Sequence, residues 1–169
     1  MKIELKTLDA IQPDQLAYHA NNPHIKQYLR NSFPYPYTLD HAVSFIQHSL
    51  DQHALDFGIV VNDECIGCIG VSFHKDIYIK NCEIGYWISE TYWGQGIMKK
   101  VIKMICPYLF ENYTITKIYA EVFAENVASI RVLEDNGFTQ EGYLRNHAFK
   151  DGEYHDLIIL SLMEDDYGY

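Results

Sequence analysis

The sequence predicts a mixed α/β fold, and three observations carry that prediction. Short β-rich segments at 57–61, 65–73, 81–89 and 115–123 alternate with stretches whose apolar residues recur at the 3.6-residue period. Gly94 and Gly96 form a glycine turn between a strand and a long amphipathic pattern. Helical patterns separate strands only in the second half of the chain, so crossover connections are expected there and hairpins elsewhere. With 169 residues and no repeat, Ser/Gly linker or long charge run, a single domain over 1–169 is expected.

Taken in order, residues 2–8 read as a strand, and Pro13 to His19 as a helix with Pro13 and Asp14 near its start. Asn21, Asn22 and Pro23 break it, and His24 to Leu29 read as at most one further helical turn. Pro34 and Pro36 exclude regular structure around Tyr35 and Tyr37. Thr38 or Asp40 then caps a helix whose apolar positions are Ala42, Val43, Phe45, Ile46 and Leu50. Asn62, Asp63 and Glu64 connect the strands 57–61 and 65–73 as a hairpin. After the strand 81–89 and the glycine turn, Ile97, Val101, Ile102, Ile105, Leu109 and Phe110 form a helical stripe with Pro107 as a kink point. Val127 to Asn136 is a short helix closed by Gly137 in the C′ role. Segments 138–145 and 155–163 finish as strands around Asp151 and Gly152. The predicted order is β-α-α-β-β-β-α-β-α-β-β.

Composition narrows the function. Thirteen Lys and Arg against 23 Asp and Glu give a net charge of -10, which argues against a nucleic-acid binder. No apolar run reaches the roughly 18 residues of a membrane helix, and the N-terminal residues lack the basic and apolar regions of a signal peptide, so a cytoplasmic protein is expected. Cys65, Cys68, Cys82 and Cys106 lie in apolar segments as small hydrophobes. Cys65 and Cys68 form a CxxC pair, but in a strand that spacing sends the side chains to opposite faces, and no second pair completes a zinc site. His41, His48 and His53 share one helix without a third ligand on a common face. No metal is expected.

The glycine turn is the most informative stretch. Two glycines allow close backbone approach, and the helix start presents unpaired N–H groups at its positive end, which together suit an anion. Neither a Walker loop nor the dinucleotide fingerprint fits; a plain strand-to-helix turn is the bland alternative.

Three blocks carry a resemblance to a known family. Glu83-Ile84-Gly85-Tyr86-Trp87-Ile88 followed by Tyr92-Trp93-Gly94-Gln95-Gly96-Ile97-Met98 looks like a pyrophosphate-binding motif. Asn126, Ala128, Ser129, Ile130, Val132, Leu133, Glu134, Gly137 and Phe138 look like a second coenzyme A motif, continued by Glu141-Gly142-Tyr143-Leu144-Arg145 and Asp156. In this order they resemble the GNAT superfamily of acetyl-CoA-dependent N-acetyltransferases, in its branch of RimJ and RimL type ribosomal-protein acetylases. The resemblance begins near Arg30 and Pro36-Tyr37-Thr38 and covers most of the chain. It implies a GNAT-like central mixed sheet of about six to seven strands with about four helices. Met98 departs from the superfamily's usual Gly or Ala. Leu133 stands where the superfamily often has a Tyr that protonates the leaving thiolate, which makes Ser129 the nearest candidate acid.

The resemblance further implies that backbone at Trp87, Ile88 and Ser89 pairs with the pantetheine arm and donates to the thioester oxygen. The amides of Gly94, Gln95, Gly96, Ile97, Met98 and Lys99 would surround the pyrophosphate, and Asn126 would hydrogen-bond the pantetheine, with Ser129 beside it. Glu121, five residues before Asn126, occupies a place where some relatives carry a catalytic carboxylate. It shares a strand face with Tyr119 and Phe123, where partial desolvation is expected to raise its pKa toward a useful range; a solvated or structural Glu is the alternative. Glu83 is the rival base. Arg30, Phe33, Tyr35 and Tyr37 are expected to form the acceptor side, against the alternative of a loop that merely covers the core.

Two functions follow: an acetyl-CoA-dependent transferase moving acetyl directly to a primary amine, or a catalytically weak GNAT-like module that binds coenzyme A as a sensor. The acceptor stays open between a protein N-terminus, a polyamine, an amino acid and an amine-bearing antibiotic, and the oligomeric state between monomer and homodimer.

Overall fold

The computed structural model describes residues 1–167; residues 168 and 169, the end of the expected domain, lie outside the described residues. The elements are β1 (Ile3–Thr7), α1 (Pro13–Ala20), α2 (Pro23–Lys26), α3 (Leu39–Asp51), β2 (Leu55–Val61), β3 (Glu64–Phe73), β4 (Asn81–Ile88), α4 (Ile97–Asn112), β5 (Lys117–Phe123), α5 (Val127–Glu134), β6 (Thr139–Lys150) and β7 (Glu153–Met163). The strands follow one another in the sheet as β1-β2-β3-β4-β5-β7-β6. The mixed α/β expectation is met, with one helix more than the predicted order. That helix is α2, where Asn22 caps a single turn begun by Pro23 and accepts from the His24 amide at 2.8 Å. Asn and Pro, read as breakers, are here starters.

The chain divides into two compact units, Met1–Val71 with Gly85–Ile97, and Ser72–Ile84 with the chain from Met98 onward. In the first, β1, β2 and β3 form an antiparallel meander. Asn62 and Asp63, at φ 48° and 69°, supply the two left-handed residues a tight hairpin needs. Thr38 caps α3 in a reciprocal box with His41 (3.3 and 3.0 Å). The inward face of α3 is Ala42, Phe45, Ile46 and Ser49, a strict i, i+3, i+4, i+7 set, while Val43 and Leu50 are exposed. Ser49 enters this stripe because its hydroxyl donates to Asp56 Oδ2 at 2.6 Å, which removes the cost of burying it. The core joins Leu8, Ile11, Leu16, Ala20, Val60, Cys65 and Cys68. Both cysteines of the CxxC pair are buried in this one core, not on opposite faces as expected: the β2–β3 register shifts between Ile59 and Val60, and the extra residue in β3 changes the alternation between Cys65 and Cys68. Burial pushes the Cys65 thiol up to about 11 and Cys68 well above its ordinary range, so both are inert hydrophobes.

In the second unit, β4 pairs in parallel with β5 from Asn81↔Lys117 to Glu83↔Tyr119, and β5 pairs with β7 along its whole length. A parallel pair needs a crossover, and α4 supplies it; Val101, Ile102, Ile105, Leu109 and Phe110 are all buried. Pro107 lies inside α4 without ending it. After α5, Gly137 at φ 87° occupies C′. The Phe138 amide reaches back to the Leu133 carbonyl (3.1 Å) and the Gly137 amide to Glu134 (3.0 Å), the double bond of a Schellman ending. Strands β6 and β7 run longer than expected on both sides of the Asp151–Gly152 turn. Between Leu144 and Ala148 their register shifts, and Asp156 fills the irregularity by accepting from the Asn146 amide (2.7 Å) and the Tyr143 hydroxyl (2.5 Å).

Candidate active site

Strand β4 ends at Ile88 and leads through Ser89, the 3-10 turn Glu90–Tyr92 and Trp93 into the glycine turn. Gly94 and Gly96 both sit at φ +71°, and a Cβ built on either would meet nothing within 4 Å. The backbone conformation demands glycine there, and the space beyond it is open. The side chains of Ile97 and Met98 are buried, which leaves only their amides for a ligand, while Lys99 and Lys100 are exposed. No acidic residue stands in the first turn of α4, so its positive end is not neutralised from within. These features fit a bound pyrophosphate.

The approach to that turn is held tightly. The Trp93 indole donates to the Ile88 carbonyl at 3.0 Å, and the Gln95 amide donates to the Thr91 carbonyl at 3.0 Å. Ser89 is 5% exposed. Its amide donates to the Ile66 carbonyl at 2.8 Å, and its hydroxyl meets His19 Nδ1 at 2.9 Å and Thr91 at 3.1 Å. This corrects the expected role of Ser89: its amide is committed within the sheet and cannot serve a thioester oxygen. Sequence reasoning did not find His19, Glu64, Tyr92 or the Asn22–Glu90 contact, because the partners lie 28 to 70 residues apart and leave no local pattern.

The loop expected to face the acceptor splits into two parts. Arg30 and Tyr35 are exposed. Phe33 is half-buried between Tyr37 (centroids 5.0 Å) and Trp87 (5.8 Å). Tyr37, by contrast, is 6% exposed and part of the core, and burial pushes its phenol up to about 12. Its ring therefore packs in the core of this unit and does not stand in an open aromatic loop. Lys26 holds the loop by donating to the carbonyls of Arg30 (3.0 Å), Asn31 (3.1 Å) and Phe33.

In the second unit, Glu83, Tyr119 and Glu121 share one sheet face, opposite buried Cys82, Ile84, Ile118 and Ala120. The Tyr119 hydroxyl lies 2.8 Å from His74 Nε2 and 3.5 Å from Glu83 Oε2. Burial first, then the charges of Glu83 and Glu121, push this phenol up to about 12. Glu83 is half-buried. Glu121 is exposed, so the desolvation expected for it is not found, because the face it occupies stays open at that position. Asn126 caps α5, its Oδ1 accepting from the Ser129 amide at 3.3 Å; its Nδ2 hydrogens are the donors it can offer a pantetheine. Ser129 is half-buried on the same turn. Leu133 is fully buried, so the position where the superfamily often carries its Tyr is here a core position.

Among the described residues no three His, Cys, Asp or Glu side chains are grouped to hold a metal ion, and no helix is long and apolar enough to cross a membrane. A cavity of about 360 Å³ is lined by Lys80, Phe110, Tyr113, Thr114 and Glu164, none of them a candidate residue.

The family model of the GNAT acetyltransferase domain matches residues 4–139. The chain belongs to the GNAT acetyltransferase family. The uncharacterized N-acetyltransferase p20 of Bacillus licheniformis is 28% identical over 98% of this chain and 95% of its own. The ribosomal-protein-serine acetyltransferase of Escherichia coli K12 is 30% identical over 67% of this chain and 63% of its own. The solved structure of a RimL ribosomal-protein alpha-N acetyltransferase in complex with coenzyme A shares the GNAT fold, with TM-score 0.86 at 24% identity over 98% of this chain and 96% of that one. This GNAT protein is an acetyl-CoA-dependent N-acetyltransferase.

Proposed function

We propose that this GNAT enzyme acts in the cytoplasm, as a monomer or homodimer with 1–169 forming one domain, and that it acetylates the α-amino group of a protein N-terminus. The observation that carries the cosubstrate half is the pair of left-handed glycines opening onto free space before an acid-free helix start. The acceptor half is supported by the E. coli relative, named for a ribosomal-protein serine.

Acetyl-CoA supplies an activated acetyl thioester. The amides of Gly94, Gln95, Gly96, Ile97, Met98 and Lys99 bind its pyrophosphate, Trp87 and Ile88 hold the pantetheine by their backbone, and Asn126 donates to it. Glu83 takes the proton from the acceptor ammonium through water, aligned by the neighbouring Tyr119 phenol. Glu121, exposed on the same face, attracts the cationic amine. The free amine attacks the thioester carbonyl directly, the N–C bond forming as C–S breaks; the attacking nitrogen gives up its extra proton, which reaches the leaving thiolate through the Ser129 hydroxyl, the hydroxyl taking one proton as it passes another on. Arg30, Phe33 and Tyr35 contact the rest of the acceptor.

The test is thiol release from acetyl-CoA over peptides with varied N-termini, spermidine, free amino acids and an aminoglycoside. Peptides are expected to be the preferred acceptors, and Glu83→Gln to lower kcat by about 10²- to 10⁴-fold with coenzyme A affinity unchanged. Glu121→Gln should act mainly on the acceptor's KM. A larger kcat loss from Glu121→Gln would exchange the two roles, and preferred turnover of spermidine would replace the peptide acceptor. Coenzyme A binding without turnover of any amine would point to the sensor module instead.

A further inference from the structure

We propose that His19 is a positioning residue for the cofactor turn, bracing the segment before Gly94 from helix α1, an assignment that rests on the glycine turn binding coenzyme A. His19 is 7% exposed, yet both ring nitrogens are engaged: Nε2 with Glu64 Oε1 at 2.8 Å and Nδ1 with Ser89 Oγ at 2.9 Å. The hydrogen bond from His19 holds the Glu64 carboxyl below its ordinary range, so at neutral pH it is ionised and can only accept. Nε2 therefore carries the proton. In the neutral imidazole Nδ1 then accepts from the Ser89 hydroxyl, whose oxygen in turn accepts from Thr91 (3.1 Å). The Tyr92 hydroxyl closes the set on Glu64 Oε2 at 3.2 Å. The chain Thr91, Ser89, His19, Glu64 thus runs donor to acceptor in one direction, with a carboxylate at its end.

Ser, His and a carboxylate in hydrogen-bonded sequence suggest a nucleophilic triad, but Ser89 is buried and already takes a bond from Thr91, so no reacting carbonyl can reach it. What the network does is immobilise. A second anchor acts on the next residue: Glu90 accepts from the Asn22 amide at 2.6 Å and meets His24 at 3.0 Å. Residues 19, 22 and 24, from α1, its end and α2, therefore hold consecutive residues of the segment whose continuation must present its amides to an anion. A turn with two glycines is entropically loose by itself, and preorganisation of its entry lowers the cost of ligand binding.

The experiment measures the coenzyme A Kd by calorimetry and the kcat and acetyl-CoA KM of His19→Ala, His19→Asn and Ser89→Ala in the full chain, with circular dichroism to confirm folding. His19→Ala is expected to raise Kd and KM about tenfold with kcat at saturation within about twofold. Ser89→Ala should raise them about threefold. His19→Asn, whose Oδ1 can take the Ser89 hydroxyl bond, should recover part of the affinity. If His19→Ala does not fold, Ser89→Ala and Tyr92→Phe decide. Folded variants that bind coenzyme A within about twofold of wild type overturn the positioning role alone; a wild-type chain that does not bind coenzyme A overturns the reading of the turn and this role with it.

Discussion

Helices α4 and α5 start in opposite ways. Helix α5 caps itself: Asn126 Oδ1 accepts from the Ser129 amide, and a Schellman turn at Gly137 closes the other end. At α4 the residue before Ile97 is Gly96, which has no side chain to cap with, and Gln95 turns its amide back to Thr91. Both helices have orphan N–H groups at their first turn. In α5 a side chain of the chain's own meets part of that need, whereas α4 presents its donors beside open space. The α4 start has no Asn or Ser cap and two left-handed glycines instead, which is the difference on which the proposed coenzyme A binding rests.

Breaking the α4 start should have the largest effect. Gly96→Val forces a β-branched residue to φ +71° and fills the open space with methyl groups; the coenzyme A Kd measured by calorimetry should rise by at least about 100-fold. At α5 the expected loss is one of stability. Asn126→Ala should cost about 1 kcal/mol, a Tm decrease of about 2–4 °C, together with a higher acetyl-CoA KM. Asn126→Asp keeps the capping oxygen but not the donor, so it should restore Tm and leave KM raised; if KM recovers as well, Asn126 serves the helix and not the pantetheine.

Smaller still is the pH effect of the network that supports α4. The Glu64 carboxyl is held below its ordinary value of 4.5 by His19 and Tyr92. A pKa lowered in the folded state stabilises at pH above the unfolded value, and this stabilisation disappears as pH falls through the folded one. Thermal melts from pH 7 to 3 should therefore show wild type losing more stability below about pH 4.5 than Glu64→Gln. The difference should be modest, because the Glu64 side chain is 45% exposed and solvent screens it. Least affected of all should be Lys99→Ala. Its 3.0 Å pair with Asp135 is exposed at both ends, so stability should change by less than about 0.5 kcal/mol, while the acetyl-CoA KM should rise about two- to fourfold at low salt and less at high salt.

Val43 and Ser49 show where local reading stops. Both positions suit a helix, and the 3.6-residue period locates α3, but period alone does not say which side faces inward. Val43 is apolar and exposed; Ser49 is polar and buried, because Asp56 lies within reach of its hydroxyl. The same limit applies to Tyr37, whose neighbours Pro36 and Tyr35 suggest an open aromatic loop, and to Glu121, whose alternation with Ala120 and Val122 names a face but not how covered that face is. The resemblance places Ser89 against the pantetheine arm, although Ile66 takes its amide and His19 its hydroxyl.

The amino-acid sequence by itself determined what depends on a few neighbouring residues: the hairpin at Asn62-Asp63, the Pro13 and Thr38 helix starts, the left-handed glycines at 94, 96 and 137, and with them the place of the glycine turn before α4. Those features are legible because φ preference, capping and turn chemistry act within about five residues. Only the tertiary structure decided that Tyr37 and Leu133 are core, that Asn126 spends its oxygen on its own helix, that Glu83 rather than Glu121 is half-buried beside a phenol, and that His19 reaches 45 and 70 residues along the chain to Glu64 and Ser89. Burial and hydrogen-bond partners of that kind are properties of the packed chain, created when distant segments exclude water together, and no local pattern encodes them.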